Sequence, residues 1–139
     1  MKSQPKAEIL TALVCDDARK EASGKEIVIG IYTGDILVQA YPASLSLCLW
    51  ILASFKSKGA TPLQLRLVGG DGSQLVHFEG TAEIDQPDTP ATLPLPRFLF
   101  SVGKNSRLKF EWRIGAGEWQ TVIEKQVRLH PAGAKASVV

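Results

Sequence analysis

The densest cluster of ionisable side chains falls in one stretch, ALVCDDARKEASGKEIVIGIY, from Ala12 to Tyr32. Asp16 and Asp17 are adjacent carboxylates, and Asp35 follows in a nearby turn. Loop carboxylates of this kind supply oxygen ligands to calcium, but Ca²⁺ takes about six or more oxygens. Only these three have a reason to converge. The simpler expectation is that the aspartates satisfy turn amides and pair with Arg19 or Lys25. No metal or other cofactor is therefore expected, and Asp16, Asp17 and Asp35 would be the ligands of any Ca²⁺ that bound. Asp16, Asp17, Arg19, Glu21 and Lys25 are kept as interaction candidates.

Other residues of catalytic type are less well placed. His77 and Glu79 are two apart on one strand face, within reach of each other as a general-base pair. No serine, cysteine or threonine is visibly set up as their nucleophile, and no GxSxG elbow occurs. Cys15 and Cys48 sit in apolar strands, where a thiol is ordinarily inert packing. Gly69-Gly70-Asp71-Gly72 lacks the Lys-Ser/Thr and the helix of a phosphate loop, and reads as a hairpin turn. The expectation is a protein without enzymatic activity.

Positioning these residues falls to strands. Ile9–Cys15 is a short, nearly continuous apolar run, and its β-branched content favours strand over helix. Asp17–Ala22 is expected to form one helical turn, with Gly24 as its stop. Glu26–Tyr32 is a second strand, with Ile27, Ile29 and Ile31 sharing one face. Gly30 in its middle predicts a bulge or a close approach by another backbone.

Alternation is clearest from Ser44 to Lys56. Leu45, Leu47, Leu49, Ile51, Ala53 and Phe55 share one face, a period of 2 that no helix produces. The opposite face carries Cys48, Trp50 and Leu52. With both faces apolar, something must cover the second, either the chain's own Pro-rich crossover or a partner. That cover is worth ~2–4 kcal/mol at about 25 cal/mol per Å². Cys48, Trp50 and Leu52 are thus interaction candidates, with a protein partner or self-association as the expected use.

Further strands follow at Leu63–Leu67, Val76–Ile84, Arg97–Val102, Arg107–Ile114 and Glu118–Leu129. Asp85–Pro96 holds four prolines and reads as a surface crossover, because proline lacks a ladder amide. Trp119, Ile123 and Val127 are candidate core residues. Lys125 falls in phase with them, so a bulge or an edge is expected there. Arg66, Arg107, Lys109 and Arg113 gather on an outward face with Glu111 interleaved, and no exposed aromatic is evident beside them to stack a nucleobase.

About eight strands with turns every 8–12 residues predict an all-β fold, a two-layer antiparallel β-sandwich of immunoglobulin-like or C2-like type. An up-and-down barrel is the alternative. At 139 residues the chain reads as one domain, 1–139, able to bury a core without a staple, with 1–6 and 131–139 as loose tails. A net charge of +2 is too small to argue for nucleic acid or an anionic membrane, and no run approaches ~20 apolar residues. No secretory signal is read at the N-terminus. A cytoplasmic location with free thiols is the expectation, and a Cys15–Cys48 bridge the alternative.

The pattern A-L-x-C-D-D-x-R-x-E-x-x-G-K-x-x-x-I-G-x-Y is carried by Ala12, Leu13, Cys15, Asp16, Asp17, Arg19, Glu21, Gly24, Lys25, Ile29, Gly30 and Tyr32. It resembles the N-terminal signature of an uncharacterised family of small bacterial β-rich proteins. The resemblance implies a bacterial or prophage source, a β-rich fold and an unknown role, and it brings no catalytic residues with it. The combined reading is a non-enzymatic binding or assembly module acting through a sandwich face or loop. The alternative is a sandwich that binds Ca²⁺ or a small ligand through loop carboxylates.

Overall fold

The computed structural model describes residues 6–131, so the expected tails lie outside the described residues except at Lys6 and Pro131. Ten strands follow one another: β1 (Ala7–Lys20), β2 (Glu26–Ile31), β3 (Ile36–Val38), β4 (Ala43–Phe55), β5 (Gly59–Val68), β6 (Gln74–Ile84), β7 (Ala91–Thr92), β8 (Phe98–Val102), β9 (Ser106–Ile114) and β10 (Gln120–Leu129). They form two packed five-stranded sheets. One runs β2-β1-β4, with β7 and β8 both on the far side of β4, and the other runs β3-β10-β9-β5-β6. The all-β sandwich expected from the alternation is the fold observed. The strand count is ten rather than about eight, because the short β3 and β7 are also paired. β3 pairs with β10 in parallel, the exception in an otherwise antiparallel structure.

The inward faces are those the alternation marks. Leu47, Leu49, Ile51, Ala53 and Phe55 of β4 are buried, facing Leu63, Leu65 and Leu67 of β5 and Leu108, Phe110, Trp112 and Ile114 of β9. Aromatic rings meet edge to face across this core, Phe98 against both Phe78 and Phe110, and Phe55 against Trp112. Such offset contacts add to the transfer energy of burial. Gly69–Ser73 closes the expected hairpin between β5 and β6. No helix among the described residues is long and apolar enough to cross a membrane.

Four local expectations are corrected. Asp17–Lys20 are not helical but continue β1, paired with Glu26–Ile29. A lone helical turn fixes several dihedrals for one hydrogen bond, whereas the ladder gains a bond at each step. Gly24 does take positive φ, +93°, but within a β-hairpin turn where the Glu21 amide donates to the Lys25 carbonyl. Trp119 lies outside the core, on the outer face of the second sheet beside Arg66 and Arg113. The Pro-rich crossover is not wholly loop: Ala91 and Thr92 pair with Ala53 and Leu52, and the Asp88 amide donates to Phe55. Those three residues keep the amide protons that the four prolines lack.

The chain is tied down at Lys6, the described end of the first expected tail, and at His130, just before the second. The Lys6 carbonyl accepts from the Lys56 amide, and the His130 amide donates to Val38. The last strand does carry a bulge, but between Thr121 and Ile123, upstream of Lys125. At Lys125 itself the ladder with β9 runs unbroken, and β3, which pairs only with Val127, Arg128 and Leu129, leaves an edge. There Lys125 Nζ donates to the carbonyls of Tyr32 (2.6 Å) and Gly34 (3.3 Å), tying β10 to the turn after β2.

Candidate functional site

β1 pairs with β4 only as far as Cys15, which stands opposite Cys48. At the next residue the strand parts from its neighbour, and the Asp16 carbonyl accepts from Arg97 Nη1 at 2.8 Å. Residues 16–20, still paired with β2, form a two-stranded arm. The arm reaches the second apolar face of β4. The Trp50 indole N–H donates to Glu26 at 3.2 Å. Ala18, Arg19, Lys20 and Glu26 share a cleft of about 480 Å³ with Cys48, Leu49, Trp50 and the segment Thr92–Leu95. The cover sought for the second face of β4 is therefore the chain's own arm and crossover, which leave Cys48, Trp50 and Leu52 half-buried.

Polar contacts fix the arm at its root. Arg97 Nη1 donates to Ser46 Oγ at 3.0 Å as well as to Asp16, and Nη2 donates to Asp17 Oδ1 at 3.0 Å. Asp17 also accepts from Arg19 Nε at 2.7 Å. That hydrogen bond, joined by the charges of Arg19 and Arg97, holds the Asp17 carboxyl below its ordinary value of 3.8. Tyr32 OH donates to Asp16 Oδ1 at 2.8 Å. Burial, this hydrogen bond and the Asp16 charge push the Tyr32 phenol up to about 12, so it stays protonated and keeps donating.

Gly30 makes the contact possible. Its φ is +69°, and a Cβ there would lie 2.3 Å from Asp16 Oδ2. The close approach expected at this glycine is real, but the approaching group is a carboxylate side chain and not another backbone.

The interaction candidates are thus divided. Asp16, Asp17 and Arg19 meet Arg97 at the root of the arm. Glu21 and Lys25 belong to the hairpin turn, where Glu21 accepts from Ser23 Oγ at 3.2 Å. Asp35 pairs instead with Arg128 at 2.7 Å. Among the described residues, no three His, Cys, Asp or Glu side chains gather in a way that could hold a metal.

Against this geometry stands one sequence match. The profile of DUF6941, a family of unknown function, matches residues 10–123. The chain belongs to this family. No curated protein matches it. The matched span holds the arm, the cleft and Arg97, so the root of the arm is part of the DUF6941 domain itself.

A second cluster of this DUF6941 domain lies on the outer face of the other sheet. The Arg66 guanidinium sits 4.0 Å from the centre of the Trp119 ring, and that of Arg113 sits 4.9 Å from it. His77 meets the same ring edge-on at 6.3 Å, and its Nε2 lies 3.2 Å from Gln64 Oε1 and 3.9 Å from Glu79. The cations expected on this face are largely neutralised, Arg66 by Glu111 at 2.8 Å and Arg107 and Lys109 by Glu124. An aromatic does stand among them, but Trp119 is half-buried and two guanidinium groups already occupy its surroundings.

Two residues escaped the reading of the sequence. Arg97 was legible only as the first residue of a strand, and with Arg19, Lys20 and Lys25 all close to Asp16 and Asp17 in sequence, nothing local asks for a more distant cation. Trp119 passed for core because its position in the alternation matches Ile123. The bulge between Thr121 and Ile123 breaks that phase.

Proposed function

We propose that this protein is a non-enzymatic binding module that takes a strand of a protein partner, or of a second copy of itself, along the β2 edge of its arm. The observation that carries this reading is an apolar stripe on that edge. Ile27, Ile29 and Ile31 are 40%, 47% and 45% exposed. Among the described residues, no strand pairs with the outer side of β2. An edge strand with free backbone groups and alternate apolar side chains is the template for strand addition, where main-chain hydrogen bonds give affinity and side chains give selectivity. Natural edges usually blunt this hazard with charge or proline, and β2 has neither at its centre. A reducing, cytoplasmic setting, where structural disulfides are rare, belongs to the same reading.

The test compares Ile29→Lys with Leu99→Lys, a control at a residue 66% exposed on β8. Size-exclusion with light scattering reads self-association, and affinity capture reads a partner. The expected result is association that Ile29→Lys abolishes and Leu99→Lys leaves intact. Equal behaviour of the two variants, or a wild-type monomer that captures nothing, refutes the reading.

The cleft favours a second reading, a small-ligand site. Its volume of about 480 Å³ falls in the range of ordinary ligand pockets, and it joins Trp50, Leu93 and Leu95 to the polar Arg19, Lys20 and Glu26. A ligand at a hundred times its Kd would add ~2.7 kcal/mol to stability, which a thermal-shift screen detects. Nothing favours the calcium form of that alternative, since Asp17 already holds two guanidinium groups and Asp35 lies with Arg128.

A further inference from the structure

Cys15 and Cys48 stand directly opposite one another in the antiparallel ladder of β1 and β4, and both thiols are free. Directly opposed residues have Cα atoms about 4.5–5.5 Å apart, inside the roughly 4.4–6.8 Å that a disulfide spans. The Cys15 Sγ lies 3.6 Å from the Cys48 carbonyl oxygen, so the buried thiol is turned toward its partner residue. The two differ in access. Cys15 has no exposed surface, while Cys48 lines the cleft beneath the arm, where a molecule the size of water or peroxide can reach it.

We propose that Cys15 and Cys48 are a peroxide-oxidisable dithiol that closes to a reversible disulfide at the root of the arm. In the first step the Cys48 thiolate attacks one peroxide oxygen, the O–O bond breaks, and the departing hydroxide takes a proton to become water. Cys48 is then a sulfenic acid. In the second step Cys15 sulfur attacks the sulfenic sulfur, the S–O bond breaks, and the Cys15 proton leaves with the hydroxyl as a second water. Two thiols are oxidised by two electrons and one peroxide is reduced to two waters.

The roles follow from access. The half-buried thiol meets the oxidant, and the buried one resolves it. Burial, with the neighbouring Cys48 and Asp16, pushes the Cys15 thiol up to about 11, so it is held as the thiol rather than the thiolate, and its proton is the one that leaves with the hydroxyl in the second step. The bond would clamp β1 to β4 at the last pair before the arm departs, whatever the arm binds.

The experiment treats the folded wild-type protein with graded hydrogen peroxide, blocks free thiols, and maps peptides by mass spectrometry without reduction. The expected product is a cross-linked pair of peptides holding Cys15 and Cys48, lighter by two hydrogens and restored by dithiothreitol. Hydrogen exchange at Asp16–Ala18 should slow in the oxidised form. Cys15→Ser should divert Cys48 to the sulfinic acid or to linked dimers. The proposal is overturned if wild-type Cys48 becomes sulfinic acid or joins another chain while Cys15 stays reduced. It is equally overturned if neither thiol reacts while the protein remains folded by circular dichroism. The Ile29→Lys test of the arm edge has no bearing on either outcome.

Discussion

In the body of the sandwich, Ile51 of β4, Leu67 of β5, and Phe110 and Trp112 of β9 have no exposed surface. In the arm, β2 leaves three isoleucines nearly half exposed, and its links to the body are a handful of directional contacts from Arg97, Tyr32 and Trp50. Burial is non-directional and grows with area, so the body gains stability from every inward residue. A hydrogen bond contributes only ~0.5–1.5 kcal/mol net and depends on geometry. Two regions of one chain therefore sit at opposite ends of the local-stability range, and binding segments are drawn from the lower end. The arm is where this fold can give up internal order to a partner without losing its core.

Substitutions separate the two regimes, beginning with the largest effect. Trp112→Ala removes a fully buried ring that packs on Phe55 and should cost ~3–5 kcal/mol, read as a lower denaturation midpoint for the whole molecule. Gly30→Ala imposes both a strained φ and a Cβ against Asp16, and should cost ~1–3 kcal/mol. Its signature is faster hydrogen exchange in the arm, with the body's exchange unchanged. Measured on an Asp16→Gly background, which already lacks the Tyr32 hydrogen bond, the same substitution should keep its backbone cost and lose the steric part. If Gly30→Ala instead unfolds the body along with the arm, the two regions form one cooperative unit and the contrast fails.

Arg97→Ala should cost about 1–2 kcal/mol, again confined to the arm, because three hydrogen bonds at an edge partly open to water are lost together. Arg97→Lys should recover little of this, since one ammonium cannot reproduce the fork.

Asp17→Asn sharpens the comparison through pH. Folding lowers the Asp17 pKa below its ordinary 3.8, so its contribution is present above that value and is lost as pH falls through the folded value. The melting-temperature gap between Asp17→Asn and wild type should therefore be widest near neutrality and close at more acidic pH. Ile29→Lys is expected to be the mildest, within about 0.5 kcal/mol of wild type, because the side chain is already half in water. On the proposed reading its larger effect falls on association.

The alternation in β4, β5 and β9 was sufficient to read the core, because a period of 2 sends successive side chains to opposite faces whatever the partner strands are. Cys48, Trp50 and Leu52 were legible as a second apolar face for the same reason. What covers that face was not legible. Asp17–Lys20 have residue types compatible with a helical turn, and only the ladder offered by β2 resolves them as strand. Arg97 is distant in sequence from Asp16 and Asp17, and no local rule connects a cation after a proline-rich crossover to an acidic pair near the other end of the domain.

The sequence by itself determined the class of fold, the inward residues of the long strands and the turns, since these follow from local backbone preference and from keeping apolar surface out of water. Only the tertiary structure decided that β1 leaves β4 after Cys15, that the arm covers Trp50, that Gly30 makes room for Asp16, and that Cys15 meets Cys48 across the ladder. These are matters of register and of contacts between distant segments. Their energies arise only once the strands are side by side.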